Sequence, residues 1–280
     1  MKKEIILKRI ALIPSFRCNL NCRLCISSSP NLPPGNDMTI EEAKKTLKLI
    51  FTLIDKLELL QISGGEPFLF KELAPMIFEC FKYADRFEKF MLFTNGTVPL
   101  RDDVFEIIKQ HKDKFILFIS NYGLHTERFN AFIKTINKNS ITYRIMNYHG
   151  DDQYFGGWVD FGEYVSYNRT PAMLSKVFHS CGQVQCGGCW QVQNGQIHWC
   201  PRSLRGTLAG FIPSRKNIDY IDIFDTETTL DEKRTALYEL IHADYFLGCD
   251  YCTGDMGTND PTKRYPAAEQ KVARHRVIYE

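Results

Sequence analysis

Three cysteines within eight residues are the first feature of the chain whose chemistry can be read from their spacing. They are Cys18, Cys22 and Cys25 in the stretch "FRCNLNCRLC". Cysteine thiolates bind zinc and iron, and a closed structural zinc site needs four ligands. A 4Fe-4S cluster has four irons, so three protein thiolates leave one iron open to a substrate or cofactor. The spacing therefore predicts a catalytic metal loop, with an incidental zinc site as the alternative.

Most of the other cysteines lie in the last hundred residues. Asn194 and Gly195 form a strong hairpin-turn signal, and Gly195 begins a G-x4-C pattern that ends at Cys200. Cys80 stands apart in the apolar stretch "APMIFECFKYA" and is predicted to be a buried helical side chain. The pattern indicates a second metal region, with a zinc ribbon as one alternative. Its six cysteines are Cys181, Cys186, Cys189, Cys200, Cys249 and Cys252.

Composition and charge restrict the class of protein. A chain of 280 residues that is 44% hydrophobic can form one large domain, or one domain with a small partner. Its net charge of +2 and its scattered Lys and Arg residues give no reason to expect nucleic acid or a membrane as partner. No signal peptide or membrane-spanning run is recognisable. We therefore expect a cytoplasmic protein, in which cysteines are ligands or redox groups rather than disulfides.

Strands alternate with helices in the first half of the chain. The strands are predicted in "IALIPS", "LELLQIS", "FEKFMLFTNG", "KFILFISNYG" and "ITYRIMNY", and a capping box of Thr39 and Glu42 begins the first helix. Repeated β-α units predict a parallel sheet that curls toward a full or partial barrel. The chemistry of such a barrel lies at the C-terminal ends of its strands. The cysteine loop, "SGGEP", "TNG" and "SNYG" all fall there.

The second half of the chain has a different character. The β-α alternation ends near Tyr164, and the following stretch is rich in cysteines and turns. We place a domain boundary near Pro171. The expected organisation is a barrel over residues 1–170, a small cysteine-rich domain over 171–255, and a tail over 256–280 that packs on the barrel.

The cysteine triplet and a second motif together resemble a known family. The C-x3-C-x2-C spacing and the "GGEP" sequence at residues 64–67 are similar to the signatures of the radical S-adenosylmethionine superfamily. The resemblance implies an α/β fold with a partial (β/α)6 TIM-type barrel. It also implies a 4Fe-4S cluster whose open iron chelates S-adenosylmethionine (SAM). An electron from the cluster then cleaves SAM to methionine and a 5'-deoxyadenosyl radical, which abstracts hydrogen from a substrate.

The resemblance assigns roles to residues near the strand ends. Glu66 is expected to hold the methionine amino group, since a carboxylate accepts from an ammonium and the glycines before it allow close approach of a ligand. The end of the fourth strand is expected to contact the ribose and carboxylate, and Leu24 the adenine. The expected SAM-binding residues are Leu24, Gly64, Gly65, Glu66, Pro67, Thr94, Asn95, Ser120 and Asn121.

The second cysteine group resembles the SPASM domain and its shorter twitch variant, which combine a hairpin, a helix and iron-sulfur ligands. Six cysteines are too few for the two clusters of a full SPASM domain, so one auxiliary 4Fe-4S cluster is expected. Its clear ligands are Cys200, Cys249 and Cys252. The fourth is open among Cys181, Cys186 and Cys189, and the family spacing favours Cys181. The two spare cysteines are either structural or hydrogen-atom donors, so Cys186 and Cys189 are the candidate catalytic residues.

The resemblance leaves several reactions open. The stretches "CPRSLRGTLAGFIP" and "YPAAEQ" resemble short SPASM/twitch proteins of carbohydrate and cell-surface biosynthesis. This resemblance favours a small substrate, such as a sugar or an aminocyclitol. A dehydrogenase would need the auxiliary cluster as electron acceptor, whereas an epimerase would need a cysteine thiol that returns hydrogen. Modification of a ribosomal peptide is the alternative, and a non-catalytic iron-sulfur or zinc protein is a further one. The expected electron donor is a flavodoxin or a ferredoxin.

Overall fold

The computed structural model describes residues 4–154, 158–185, 187–254 and 264–271. Within these ranges, eight strands form one sheet with the order β5-β4-β3-β2-β1-β6-β7-β8. Cys186, one of the two candidate catalytic residues, lies outside the described residues, as does most of the predicted tail.

The first half of the chain consists of parallel strands and the helices between them. Each strand of β1 to β5 pairs in parallel with the next one along the chain. The predicted alternation is therefore confirmed. The elements are β1 (Ile6–Ser15), α1 (Ile40–Leu53), β2 (Lys56–Gly64), α2 (Leu73–Phe81), β3 (Phe87–Thr94), α3 (Asp102–Gln110), β4 (Phe115–Asn121), α4 (Thr126–Lys138) and β5 (Tyr143–Asn147).

The second half adds short elements to the opposite end of the sheet. Strand β6 pairs in parallel with β1, and β7 and β8 continue the sheet in antiparallel pairs. The hairpin predicted at Asn194 and Gly195 is confirmed, because it connects β6 to β7. The elements are α5 (Pro171–Ser180), α6 (Gly182–Gln185), β6 (Trp190–Gln193), β7 (Gln196–His198), α7 (Pro201–Leu208), β8 (Ile221–Asp222) and α8 (Leu230–Ile241).

The helices cover one face of the sheet and leave the other face for a site. Successive strand residues point to opposite faces. Thus Ile10, Leu60 and Phe90 are fully buried in the main core, while their neighbours point to the concave side. Cys80 on α2 is also fully buried in that core, as predicted. The Thr39–Glu42 capping box at the start of α1 is confirmed by reciprocal hydrogen bonds.

The sheet remains open, as expected for a partial barrel. Within the described residues, β5 and β8 are its two edges. The strand that follows β5 along the chain, β6, joins the sheet beside β1 and not beside β5. The α/β class with a parallel sheet is confirmed, and the division at residue 171 stays a prediction. In the described part of the chain, no helix is both long and apolar enough to cross a bilayer.

Candidate active site

A cavity of about 500 Å³ lies on the concave side of the sheet, at the C-terminal ends of the strands. The loops that follow β1 to β4 meet at this edge because the strands are parallel. Most of the predicted site residues line the cavity: Cys18, Cys22, Leu24, Cys25, Gly64, Gly65, Glu66, Thr94, Asn95, Ser120 and Cys189.

Two predicted SAM-binding residues lie beside the cavity without lining it. Pro67 is buried and begins a short 3-10 turn, Pro67–Leu69. Asn121 ends β4, and its amide contacts Asn147 at 2.9 Å and His149 at 3.0 Å. In this arrangement Pro67 shapes the backbone after Glu66, and Asn121 fixes the end of β4 against its neighbour.

The cysteine triplet forms a compact group in the loop after β1. Burial raises the pKa of the Cys18 thiol to about 12 and that of Cys22 to about 11. Proximity to Cys25 raises both pKa values further, so the three sulfurs are neighbours. Thiols with such pKa values stay protonated at neutral pH until a metal replaces the proton. The donor set suits an iron-sulfur cluster, which soft thiolate ligands favour.

A segment from the far end of the chain covers this loop. The Gln270 amide donates to Cys22 Sγ at 3.3 Å and accepts from the Asn21 backbone N–H at 2.7 Å. Arg23 and Glu269 add an ion pair at 2.8 Å. The described part of the predicted tail, residues 264–271, thus contacts the cysteine loop itself. Sequence reasoning missed Gln270, since no local pattern connects residues about 250 positions apart.

Glu66 is the central carboxylate of the site. Only 2% of it is exposed. One carboxylate oxygen accepts from the Thr94 hydroxyl at 2.8 Å, and the other accepts from the Asn95 backbone N–H at 2.8 Å. Burial outweighs these hydrogen bonds and raises the pKa of Glu66 to about 7. A buried carboxylate of this kind is suited to a cationic ligand, which would restore its charge.

The turn after β3 connects Glu66 to the cysteine loop. Asn95 donates through its amide to Asn19 at 2.9 Å, and Asn19 donates in turn to the Thr97 hydroxyl at 2.8 Å. Thr94 and Asn95 therefore do more than form a turn. They hold the metal loop and the carboxylate in one hydrogen-bonded unit.

The two glycines before Glu66 allow close contact between two loops. A Cβ on Gly65 would lie 2.0 Å from the Arg17 carbonyl oxygen. Gly64 has a φ of +123°, and a Cβ there would lie 2.6 Å from the Ser15 carbonyl oxygen. The sequence suggested that these glycines make room for a ligand. The structure adds that they let the backbone after β2 pack against the start of the cysteine loop.

Several cavity residues were missed because they lie inside strands and not in loops. Alternation along a buried strand is the signal that could have found them, since Gln61 stands between Leu60 and Ile62, which point to the core. Tyr122 lies just after β4; burial raises its pKa above the ordinary value despite a hydrogen bond with Ser120. The missed residues that line the cavity include Arg9, Gln61, Met91, Phe93, Phe118, Tyr122, Arg144 and Gln191.

Four of the later cysteines form a second group, away from the cavity lining. Burial raises the pKa of Cys249 well above its ordinary value, and the neighbouring thiols raise it further. Burial likewise raises the pKa of Cys200 to about 12. These neighbours of Cys249 are Cys181, Cys200 and Cys252.

Hydrogen bonds from neighbouring residues fix the sulfurs and the backbone carbonyls of this second group. Cys200 caps the start of α7, and its Sγ accepts from the Ser203 N–H at 3.4 Å. The Arg169 guanidinium donates to the carbonyls of Cys249 and Cys252 at 2.8 and 2.7 Å. Hydrogen bonds to sulfur and nearby cations both stabilise thiolate ligands.

Cys189 is separate from this group and lies in the first cavity. It is 6% exposed, and its sulfur accepts from the amides of Gln61 at 3.4 Å and Gln191 at 3.2 Å. Of the described candidates for the fourth auxiliary ligand, Cys181 thus lies with the other three, whereas Cys189 faces the concave side of the sheet.

Neither cysteine group has the spacing of a site for a single ion. Across the described ranges, no three His, Cys, Asp or Glu side chains are arranged to hold one metal ion. A four-iron cluster has a different requirement, because each thiolate binds a different iron.

Comparison with protein families gives one match. The family model described as "Radical SAM superfamily" matches residues 12–152, which is half of the chain and contains β1 to β5. No curated protein is similar enough to count as a match.

Solved structures with a similar fold include several with SAM bound. The crystal structure of BtrN in complex with AdoMet and 2-DOIA is 13% identical with a TM-score of 0.56, and the match covers 90% of this chain and 94% of BtrN. Native anSMEcpe with bound AdoMet and Kp18Cys peptide is 13% identical with a TM-score of 0.52, covering 94% and 93%.

A third structure matches over a smaller part. Streptococcus suis SuiB bound to S-adenosylmethionine is 20% identical with a TM-score of 0.40, and the match covers 50% of this chain and 33% of SuiB. The chain thus spans about a third of the length of SuiB. At these identities the likeness concerns the fold.

Proposed function

The chain belongs to the radical SAM superfamily, and on that premise we propose that it removes a hydrogen atom from a small, carbohydrate-like substrate and so oxidises or epimerises an alcohol carbon. Enzymes of this superfamily use a 4Fe-4S cluster and SAM. When bound, these groups supply a 5'-deoxyadenosyl radical that takes hydrogen from the substrate. The observation that carries the proposal is that the cysteine triplet, Glu66 and Ser120 line the same cavity.

The cysteine loop would hold the cluster. Cys18, Cys22 and Cys25 are the three proposed ligands; Cys22 is buried, and Cys18 and Cys25 are half-buried at the cavity. The amide of Gln270 donates to Cys22 Sγ, and the Leu20 N–H donates to Cys18 Sγ at 3.5 Å. Hydrogen bonds of this kind stabilise a thiolate and raise the reduction potential of a cluster.

The strand ends beside the loop would hold SAM. Glu66 is placed to accept from the methionine ammonium, which would favour its ionised form. Ser120 and Arg144 lie on neighbouring strands, since Ser120 pairs with Met146 and Phe118 with Arg144. A guanidinium at that place suits the methionine carboxylate. Leu24 lines the same cavity and offers an apolar contact for the adenine.

The second cysteine group would hold one auxiliary cluster. Cys181, Cys200, Cys249 and Cys252 supply four thiols, which leave no iron open. Their mutual proximity favours Cys181 over Cys189 as the fourth ligand. The resemblance gives this cluster the role of electron acceptor in an oxidation, and the twitch assignment rests on the same four residues.

The position of Cys189 favours epimerisation. Its sulfur accepts from two amides beside the cavity, and a cysteine thiol at that place would transfer its hydrogen to a carbon radical. The carbon loses hydrogen on one face and regains it from Cys189 on the other. The sulfur radical left behind would take one electron and one proton, from a flavodoxin- or ferredoxin-type donor and from solvent. Oxidation would instead need the auxiliary cluster as electron acceptor and would leave Cys189 without a role in the reaction.

The test is an anaerobic reconstitution followed by reduction in the presence of SAM. We expect about eight irons per chain, from two 4Fe-4S clusters, and formation of 5'-deoxyadenosine. Sugars and aminocyclitols carrying deuterium would then be screened for transfer of the label into that product. Bound zinc without 5'-deoxyadenosine would overturn the proposal. Transfer only from a labelled peptide would establish the peptide-modifying alternative.

A further inference from the structure

The deepest part of the cavity is lined by polar side chains from three adjacent strands. Ala11 on β1 pairs with Gln61 on β2 and with Gln191 on β6, and Arg9 points to the same face two residues earlier. We call Arg9, Gln61 and Gln191 the floor of the cavity. Gln61 lies three residues before Gly64 on β2, about 10 Å below the strand ends. The floor therefore lies below Glu66 and Ser120, which are at or just after the ends of their strands.

The buried amide oxygen of Gln61 has no hydrogen-bond partner among the described residues. Gln61 is 4% exposed, and within the described residues its Oε1 is buried and accepts no hydrogen bond. Its Nε2 donates to Cys189 Sγ. Turning the Gln61 amide over would exchange Nε2 and Oε1, so one of the two atoms would still have no hydrogen-bond partner. A buried polar atom without a partner costs about 1–3 kcal/mol, which a ligand that hydrogen-bonds there would recover.

The neighbouring glutamine holds this arrangement in place. Gln191 is 4% exposed and donates to the carbonyl oxygen of Cys189 at 3.0 Å, as well as to its sulfur. Cys189 thus connects both amides. Gln61 and Gln191 both line the cavity, and their shared contact with Cys189 fixes the two amides before a ligand binds, a condition that lowers the cost of binding.

The charged residues of the cavity indicate that its ligand carries an anionic group. In the described part of the chain, the charged lining of the cavity consists of Arg9, Glu66 and Arg144. Among the described residues, neither arginine has a hydrogen-bond or ion-pair partner. SAM carries one carboxylate, which the proposed function assigns to Arg144 opposite Phe118 on β4. Arg9 at the floor is then left for an anionic group of another molecule.

We propose that the floor binds the substrate through an anionic substituent on Arg9 and through a hydroxyl or amino group on Gln61. The substrate class is thus an acidic sugar or cyclitol, with a carboxylate or a phosphate. This inference rests on the proposed function, because it assigns the second ligand of the same cavity.

The experiment measures binding to the reconstituted holoenzyme with SAM present, by anaerobic calorimetry. The probes are glucuronate, glucose 1-phosphate and neutral glucose. Glucuronate tests binding of a carboxylate, and glucose 1-phosphate tests binding of a phosphate. We expect one acidic probe to bind about tenfold or more tightly than glucose. Arg9→Gln should remove this preference, and Arg9→Lys should keep part of it.

Two further variants test the role of Gln61 and the specificity of the effect. Gln61→Met keeps the size of the side chain and should weaken binding of the acidic probe about three- to tenfold. Arg128→Gln is the matched control, since Arg128 is exposed on α4 far along the chain from the floor. It should leave binding unchanged.

The outcomes separate this inference from the proposed function. The wild type and Arg128→Gln are also assayed for 5'-deoxyadenosine formed without substrate, which both should form to the same extent. If the wild type forms no 5'-deoxyadenosine, the proposed function fails. If it does, the inference is overturned by equal binding of acidic and neutral probes, by the absence of binding to all three, or by an acidic preference that survives Arg9→Gln.

Discussion

The two cysteine groups of this chain differ in how they are built and in what they face. Cys18, Cys22 and Cys25 come from one loop and line the cavity. Cys181, Cys200, Cys249 and Cys252 come from the end of α5, the start of α7 and the region of the 3-10 turn Leu247–Tyr251, and none of them lines it. On the proposed function, three donors on a cavity would leave a coordination position for a ligand, whereas four donors away from it would form a closed site.

The supports of the two groups differ in the same way. The cysteine loop is held by side chains that also serve the cavity, such as Asn95, which accompanies Glu66. The closed group is held mainly by backbone contacts, such as those of Arg169 with two carbonyls. From this difference we expect ligand binding to affect the open site and the local fold to determine the closed site.

The largest expected effect comes from removing one ligand from each group. Cys22→Ala should lower 5'-deoxyadenosine formation to about one-thousandth or less and remove about four irons. Cys249→Ala should remove about the same amount of iron and leave 5'-deoxyadenosine formation in the absence of substrate intact. Iron analysis and product chromatography measure both. Cys80→Ala, in the core on α2, is the control. Equal losses of activity in Cys22→Ala and Cys249→Ala would contradict the contrast between an open and a closed site.

The fourth ligand of the closed site gives the next effect. Cys181→Ala should lose about four irons, because Cys181 lies beside the other three thiols. Cys189→Ala should keep the full iron content but lose incorporation of solvent deuterium into the product, since Cys189 lies in the cavity. Mass spectrometry of the product and iron analysis distinguish the two. If Cys189→Ala lost iron and Cys181→Ala did not, Cys189 would be the fourth ligand and Cys181 would not.

Much of the open site could be predicted from the sequence, because its signals are local. The cysteine spacing, the Gly-Gly-Glu stretch and the capping box at Thr39 each lie within a few residues. The alternation of strands and helices then places the loops at one edge of a parallel sheet. The class of the fold and the meeting of these loops follow from that alternation alone.

The remaining features depend on contacts between distant parts of the chain. Gln270 reaches Cys22 across 248 positions, and no local pattern encodes that contact. The floor residues share a face only because Ala11 pairs with both Gln61 and Gln191, a register that tertiary packing determines. The neighbourhood of Cys181 likewise appears only when α5 packs against the turn that carries Cys249.

A smaller effect concerns the carboxylate that connects the open site to its ligand. Glu66→Gln should raise the Kd of SAM about ten- to a hundredfold, since a hydrogen bond to a charged group is lost. In the wild type, Glu66 is protonated below its pKa of about 7, and binding an ammonium must remove that proton. Affinity for SAM should therefore fall about tenfold per pH unit below pH 7 and level off above it.

Equilibrium dialysis of SAM between about pH 6 and about pH 8 measures this dependence. The slope should disappear in Glu66→Gln. The matched control is Glu79→Gln, because Glu79 is 8% exposed on α2 and pairs with Lys82 outside the cavity. A slope that persists in Glu66→Gln would assign the proton to another group.

The smallest effect comes from the segment that covers the open site. Gln270→Met keeps the size of the side chain but removes the N–H that it donates to Cys22 Sγ. Such hydrogen bonds raise the potential of a cluster, so its loss should lower the reduction potential by about 20–60 mV without loss of iron. A redox titration followed by electron paramagnetic resonance, in the Cys249→Ala background, isolates the signal of the open site. Gln110→Met on the exposed side of α3 should leave that potential unchanged. An unchanged potential in Gln270→Met would mean that the covering segment protects the loop without tuning it.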